Sequence, residues 1–247
     1  MNFAAIAYIP LMLVINAFLH PSRGQGHLPA ETHQAVIVAT GSWDSSAGEL
    51  QLYEKEHGKW SLVRSGTPVT VGRNGLGWGR GMVTMDRSGP VKSEGDGRAP
   101  AGIFHFGAVF GYEDAGPQKV TLEYKPCTDR DYFIDDVLSP DYNRWVTIPA
   151  PESNSPTDRW KSFERMRRSD HLYRWGIVVQ HNMAPTVPGK GSAIFLHIWR
   201  RPGSPTSGCT AMDETDLLEI LGWLQADKQP VLIQLPVDEL DRLGIRE

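Results

Sequence analysis

Nine short runs of β-forming residues, none longer than seven, dominate the chain from Gln34 onward and constrain its fold more than any other feature. They are Ala35–Ala39, Leu50–Tyr53, Trp60–Val63, Val69–Val71, Ile103–Val109, Val120–Tyr124, Gly176–Val179, Ala193–Ile198 and Val231–Leu235. Glycine, proline, asparagine and serine separate them, as in Gly72-Arg73-Asn74-Gly75 and Gly95-Asp96-Gly97. Runs punctuated in this way read as strands joined by turns. Residues 193–198 (AIFLHI) are nearly all apolar, the pattern of a strand buried on both faces. The expected fold class is therefore mainly β, a mixed β-sandwich or barrel, with one or two helices. One helix is predicted over 213–225, where Asp213 caps and Leu217, Ile220, Leu221 and Leu224 recur at helical spacing. The other is predicted over 159–168 (RWKSFERMRR), whose basic cluster reads as a solvated face.

Residues 3–19 hold one polar side chain, Asn16, and are followed by Arg23, Gly24 and Gly26. This pattern predicts an export signal over 1–24, although no Lys or Arg precedes the apolar run. No cysteine lies near its end, which excludes a lipid anchor there. Residues 30–247 show no repeat and no low-complexity linker, so one domain is expected. No later apolar run approaches the roughly 20 residues that span a bilayer. Forty per cent apolar residues suffice for a core, and a net charge of −4 argues against a nucleic-acid partner.

Chemistry concentrates in 193–212, AIFLHIWRRPGSPTSGCTAM. His197 ends the buried strand, and a Pro/Gly/Ser loop of eleven residues leads to Cys209. Such a loop can return the thiol to the imidazole, which a thiol nucleophile needs because it is mostly protonated at neutral pH. The helix beginning at Asp213 offers a positive end nearby. Gly208 lets a carbonyl approach backbone N–H groups, and Thr206 and Ser207 add hydroxyls. The plain alternative is a core histidine and a packing cysteine. With only Cys127 and Cys209 present, a disulfide between them is the default in an oxidising compartment. No CxxC, HxH or HExxH occurs, so no metal site is expected. Asp135 and Asp136 read as a loop with Asx-turns.

The same segment resembles the catalytic motif of the L,D-transpeptidases of the YkuD type, in which a strand ends in the base His and Ser/Thr-x-Gly-Cys supplies the nucleophile. Arg98-Ala99-Pro100-Ala101-Gly102-Ile103-Phe104 is similar to the family's TPxGxF segment. GRNGLGWGRG (72–81), EGDGRAP (94–100) and HNM (181–183) resemble one branch of it. The resemblance implies that catalytic fold and a cysteine-dependent acyl transfer on peptidoglycan stem peptides. Cys209 would carry the thioester and His197 act as base, oriented by the Ile198 carbonyl. Gly208 would contribute to the oxyanion site, and a 3→3 cross-link would form without a cofactor. It also implies location in the periplasm or cell envelope, and acylation of Cys209 by a carbapenem. Ala211 stands where relatives carry Arg, Ser207 where His is common, and Ile198 where Gly is usual. Arg80, Arg200 or Arg201 would then recognise the substrate carboxylate, with His181, Asn182, Trp199, Thr206 and Ser207 as further binding residues. Alternatives are hydrolysis (L,D-carboxypeptidase or amidase), transfer to an envelope protein or another amine, and a non-catalytic wall-binding module with a Cys127–Cys209 disulfide.

Overall fold

The computed structural model describes residues 28–82, 88–150 and 155–242; the expected export segment 1–24 lies outside the described residues. Strands β1 (Gln34–Thr40), β2 (Ala47–Glu56), β3 (Lys59–Thr70), β4 (Leu76–Trp78), β5 (Ala99–Gly111) and β6 (Tyr124–Pro126) come first. Then follow β7 (Asp131–Phe133), β8 (Trp145–Thr147), α1 (Pro156–Arg159), β9 (Glu164–Arg165), β10 (Trp175–Val179) and β11 (Phe195–Ile198). The chain continues through β12 (Thr210–Met212), α2 (Glu214–Trp223), a 3₁₀ turn (Ala226–Lys228), β13 (Val231–Pro236) and α3 (Val237–Arg242).

Strands run β10-β11-β12-β3-β2-β1-β13-β5-β4, and β10 also pairs with β5. That second pairing turns the sheet into a barrel and removes an exposed edge. β1 pairs parallel with β13 (Ile37↔Ile233) and antiparallel with β2 (Ile37↔Gln51). Val36, Ile37 and Val38 are buried, which is why the run alternates so little between apolar and polar. Each contributes roughly 1.5–3 kcal/mol by the usual area relation. Asp213 caps α2, accepting from Thr215 N–H at 2.9 Å, and Leu217, Ile220 and Leu221 pack into the core.

Three expectations need correction. The runs 60–63 and 69–71 belong to one strand, β3, with irregular register opposite Leu50 and Leu52. Residues 120–123 are not a strand; pairing starts at Tyr124, parallel to Val109–Gly111. The helix predicted over 159–168 is absent. Ser155 and Asp158 form a capping box for the four-residue α1, which ends at Arg159. Trp160 leaves the helical conformation because its ring is buried beside Tyr132 and Phe163, with Nε1 donating to Asp141. Glu164 and Arg165 then pair with Phe133 and Tyr132 in a small second sheet, β8-β7-β9. Tertiary packing has overridden a helical charge pattern. The C-terminal helix α3 lies beyond the two helices expected.

Candidate active site

β11 and β12 are parallel neighbours, with His197 opposite Ala211. Side chains alternate along a strand, so Cys209, two residues before Ala211, approaches from the same face as His197. Both line a cavity of about 610 Å³. His197 Nδ1 lies 2.8 Å from the Ile198 carbonyl. A carbonyl only accepts, so Nδ1 carries the proton and Nε2 of the neutral ring is the basic nitrogen. Tyr173 meets the imidazole edge-on, 5.3 Å between centroids, and holds its plane. Cys209 Sγ donates to the Ala193 carbonyl at 3.4 Å. Ala193 sits at φ +53°, pinned there by Asn143 Oδ1, which accepts its N–H at 3.2 Å.

The Cys209 turn is clamped to the loop after β3. Thr206 N–H donates to Val71 O (3.0 Å), and Arg73 N–H donates to Thr206 O (2.8 Å). Gly72 has to be glycine: a Cβ there would stand 2.3 Å from Gly97 O and 2.7 Å from Ala99 N. Thr206 Oγ1 donates to Cys209 O (2.6 Å) and accepts from Gly208 N–H (3.1 Å). The Gly208 amide is thus engaged within the turn rather than directed at a developing oxyanion. The helix end is also out of reach. Three residues of extended strand, about 10 Å at the usual rise, separate Cys209 from the Asp213 cap. A helix dipole acts only near its terminal turn.

Burial governs the protonation states. The Cys209 thiol is pushed up to about 12, chiefly by burial, with the Phe195 backbone N–H opposing and Glu164 adding to the rise. His197 is pulled down to about 4, again by burial, against the Ile198 hydrogen bond. Within the shared cavity the resting thiol and the resting imidazole are accordingly both neutral, rather than a preformed thiolate–imidazolium. Cys127 and Cys209 are both free, so the disulfide expected by default is not formed. Cys127 is buried and likewise pushed up to about 12 by desolvation.

Of the other expected residues, Trp199, Arg200, Thr206 and Ser207 line the cavity with Gly208. Ile198 contributes its carbonyl from behind the histidine. Arg80, Arg201, His181 and Asn182 are not part of the lining. His181 is buried, with Nδ1 accepting from Arg80 N–H and Nε2 facing Lys190 O; burial pulls it down to about 4. Asn182 is also buried, donating to Val187 O and Gly191 O. These two hold the loop 183–191 in place. Asp136 accepts from Leu138 N–H, the expected Asx-turn, whereas Asp135 faces the cavity and accepts from Ser162 Oγ.

The far wall was not visible from sequence. Glu164, Arg168 and Tyr173 come from the failed helix and the segment after it. Tyr173 O–H donates to Glu164 (3.4 Å), and the Arg168 guanidinium stacks on the Tyr173 ring (5.1 Å) while forking onto Asp170 (2.9 and 3.0 Å). Burial raises the Glu164 and Asp135 carboxyls and lifts Tyr173 well above its ordinary value. The only sequence signal was the alternation of Glu164 and Arg165, masked by a stronger helical charge pattern. No group of three His, Cys, Asp or Glu suited to a metal is found among the described residues, and none of the described helices is long and apolar enough to cross a membrane.

The family model of the YkuD L,D-transpeptidase catalytic domain matches residues 43–233. No curated protein matches the chain. A crystal structure of the helical cell shape determining protein Pgp2 from Campylobacter jejuni aligns with a TM-score of 0.39 at 15% identity, over 83% of this chain and 48% of that one. The chain thus spans about half the length of that neighbour.

Proposed function

The chain belongs to the L,D-transpeptidase catalytic domain family, and from that premise we propose that it transfers the acyl group of a peptidoglycan stem peptide through a thioester on Cys209. The observation that carries this reading is the shared cavity of Cys209 and His197, with Nδ1 of the imidazole tied to the Ile198 carbonyl.

Because thiol and imidazole are both neutral at rest, the thiol proton passes to His197 Nε2 as Sγ adds to the carbonyl joining residue three to D-Ala four. Negative charge develops on that carbonyl oxygen. With Gly208 N–H engaged by Thr206, the neighbouring Cys209 N–H takes the role of oxyanion donor in this reading. Collapse breaks the C–N bond, and His197 returns the proton to the departing D-Ala amine. A second amine, typically the side-chain amine of another stem, then attacks the thioester; His197 takes its proton and gives one to Sγ, forming a 3→3 cross-link. Such a cycle belongs in the cell envelope after export, and no cofactor takes part.

The test is incubation with a tetrapeptide muropeptide followed by mass spectrometry, for wild type and Cys209→Ala. Loss of D-Ala with a cross-linked dimer is expected for wild type, and neither product for the variant. D-Ala loss without dimer would replace transfer by hydrolysis. No release from a wild-type chain with free Cys209 would overturn the reading.

A further inference from the structure

Four Lys or Arg side chains line the cavity around Cys209, and they differ in what already neutralises them. Lys92 is buried and holds Asp96 at 2.6 Å. Arg168 forks onto Asp170 and also faces Glu164. Arg200 is exposed and makes no ion pair among the described residues; its charge acts on Asp170. Arg73 is also exposed and without an ion pair among the described residues, but unlike Arg200 it is held toward the Cys209 turn, Nη1 donating to Ser207 Oγ at 3.3 Å.

Arg73 is nevertheless well anchored. Its N–H is bonded to Thr206 O, tying it to the nucleophile turn. Its guanidinium lies across Gly97, whose absent Cβ would stand 2.9 Å from Cζ and 3.0 Å from Nε. Gly97 has φ +69°, so a side chain there is disfavoured on two counts. Elsewhere the cavity carries Glu94, Asp135 and Glu164, which repel an anion from their side. An anionic group entering beside Cys209 is thereby directed to Arg73, whose remaining N–H groups match a carboxylate fork.

We propose that Arg73 binds the free C-terminal carboxylate of the donor peptide and so selects a donor that ends at the residue to be released. This rests on the thioester reading for the identity of the donor. In the sequence, Arg73 reads only as part of a turn within the family-like segment 72–81.

The experiment is calorimetric titration of the full chain carrying Cys209→Ala, which cannot turn over, with a tetrapeptide ending in free D-Ala and with the same peptide as its C-terminal amide. The acid is expected to bind roughly tenfold to a hundredfold more tightly, as charge-assisted hydrogen bonds are usually worth. Adding Arg73→Ala is expected to erase that preference and leave amide binding unchanged; Arg73→Lys is expected to restore part of it. Equal weakening of both peptides would mark a structural role and overturn the proposal. So would a preference that survives Arg73→Ala, or no acid preference at all, undetectable binding of both peptides included. D-Ala release by the wild-type chain is scored separately. Acid preference without release would leave Arg73 as a binding residue and remove the thioester reading.

Discussion

Titrating Cys209 with an alkylating reagent asks whether its thiol is ionised at rest. Its pKa of about 12 lies three units above the ordinary 9.0. At 1.36 kcal/mol per unit, burial disfavours the thiolate by about 4 kcal/mol. At pH 7 the ionised fraction is then on the order of one in 10⁵, roughly a thousandfold below that of an ordinary thiol. The assay is iodoacetamide labelling from pH 6 to pH 10, followed by peptide mapping so that Cys209 is read apart from Cys127. The logarithm of the Cys209 rate is expected to climb by one per pH unit with no plateau. The slope is the diagnostic, because restricted access lowers the absolute rate without bending the profile. Glu164 adds to the thiol's rise, so Glu164→Gln is expected to speed labelling at pH 9. A plateau with its inflection below pH 9 would refute the reasoning and show a thiolate–imidazolium pair already formed. In the proposed thioester mechanism, a neutral thiol puts attack and proton transfer to His197 in one step, so His197→Ala is expected to remove the base rather than merely a counter-charge.

The two buried histidines make the fold acid-sensitive. His181 and His197 both lie at about 4 in the folded chain against 6.5 ordinarily, so their contribution is complete above pH 6.5 and lost as pH falls toward 4, about 3 kcal/mol each at the limit. Urea unfolding at pH 7 and pH 4.5, compared between the wild type and His197→Gln, checks this, because Glu164 and Asp135, raised by burial, act in the opposite sense in both chains; the same loss of stability between the two pH values in both chains would contradict it. Asn143→Ala removes donors to His181 O and Asn182 O and the acceptor of Ala193 N–H. Leaving those buried backbone groups unmet is expected to cost roughly 3 kcal/mol, a fall in Tm of about 10 °C for a domain of this size. A thermal melt shifted by less than about 2 °C would show that water replaces the amide.

The strands at 35–39, 103–109 and 231–235 were legible because, His105 apart, most of their side chains are buried on both faces of the sheet, which leaves a nearly continuous apolar run. α2 was legible because its cap and its apolar spacing agree. The stretch 159–168 was not, since its charges have helical spacing while Trp160 and Met166 are drawn into packed clusters. The meeting of His197 and Cys209 in one cavity could be suspected from a strand, a loop and a glycine. Its electrostatic state could not.

Residue order alone determined which groups are able to do chemistry here, a thiol, an imidazole and a glycine-bearing turn, since those are properties of side chains and short backbone segments. Tertiary structure decided their protonation, which cationic side chains were already ion-paired and which amide was already engaged. The reason is that desolvation and ion pairing depend on atoms brought together from distant positions: Asp96 for Lys92, Asp170 for Arg168, and nothing comparable for Arg73.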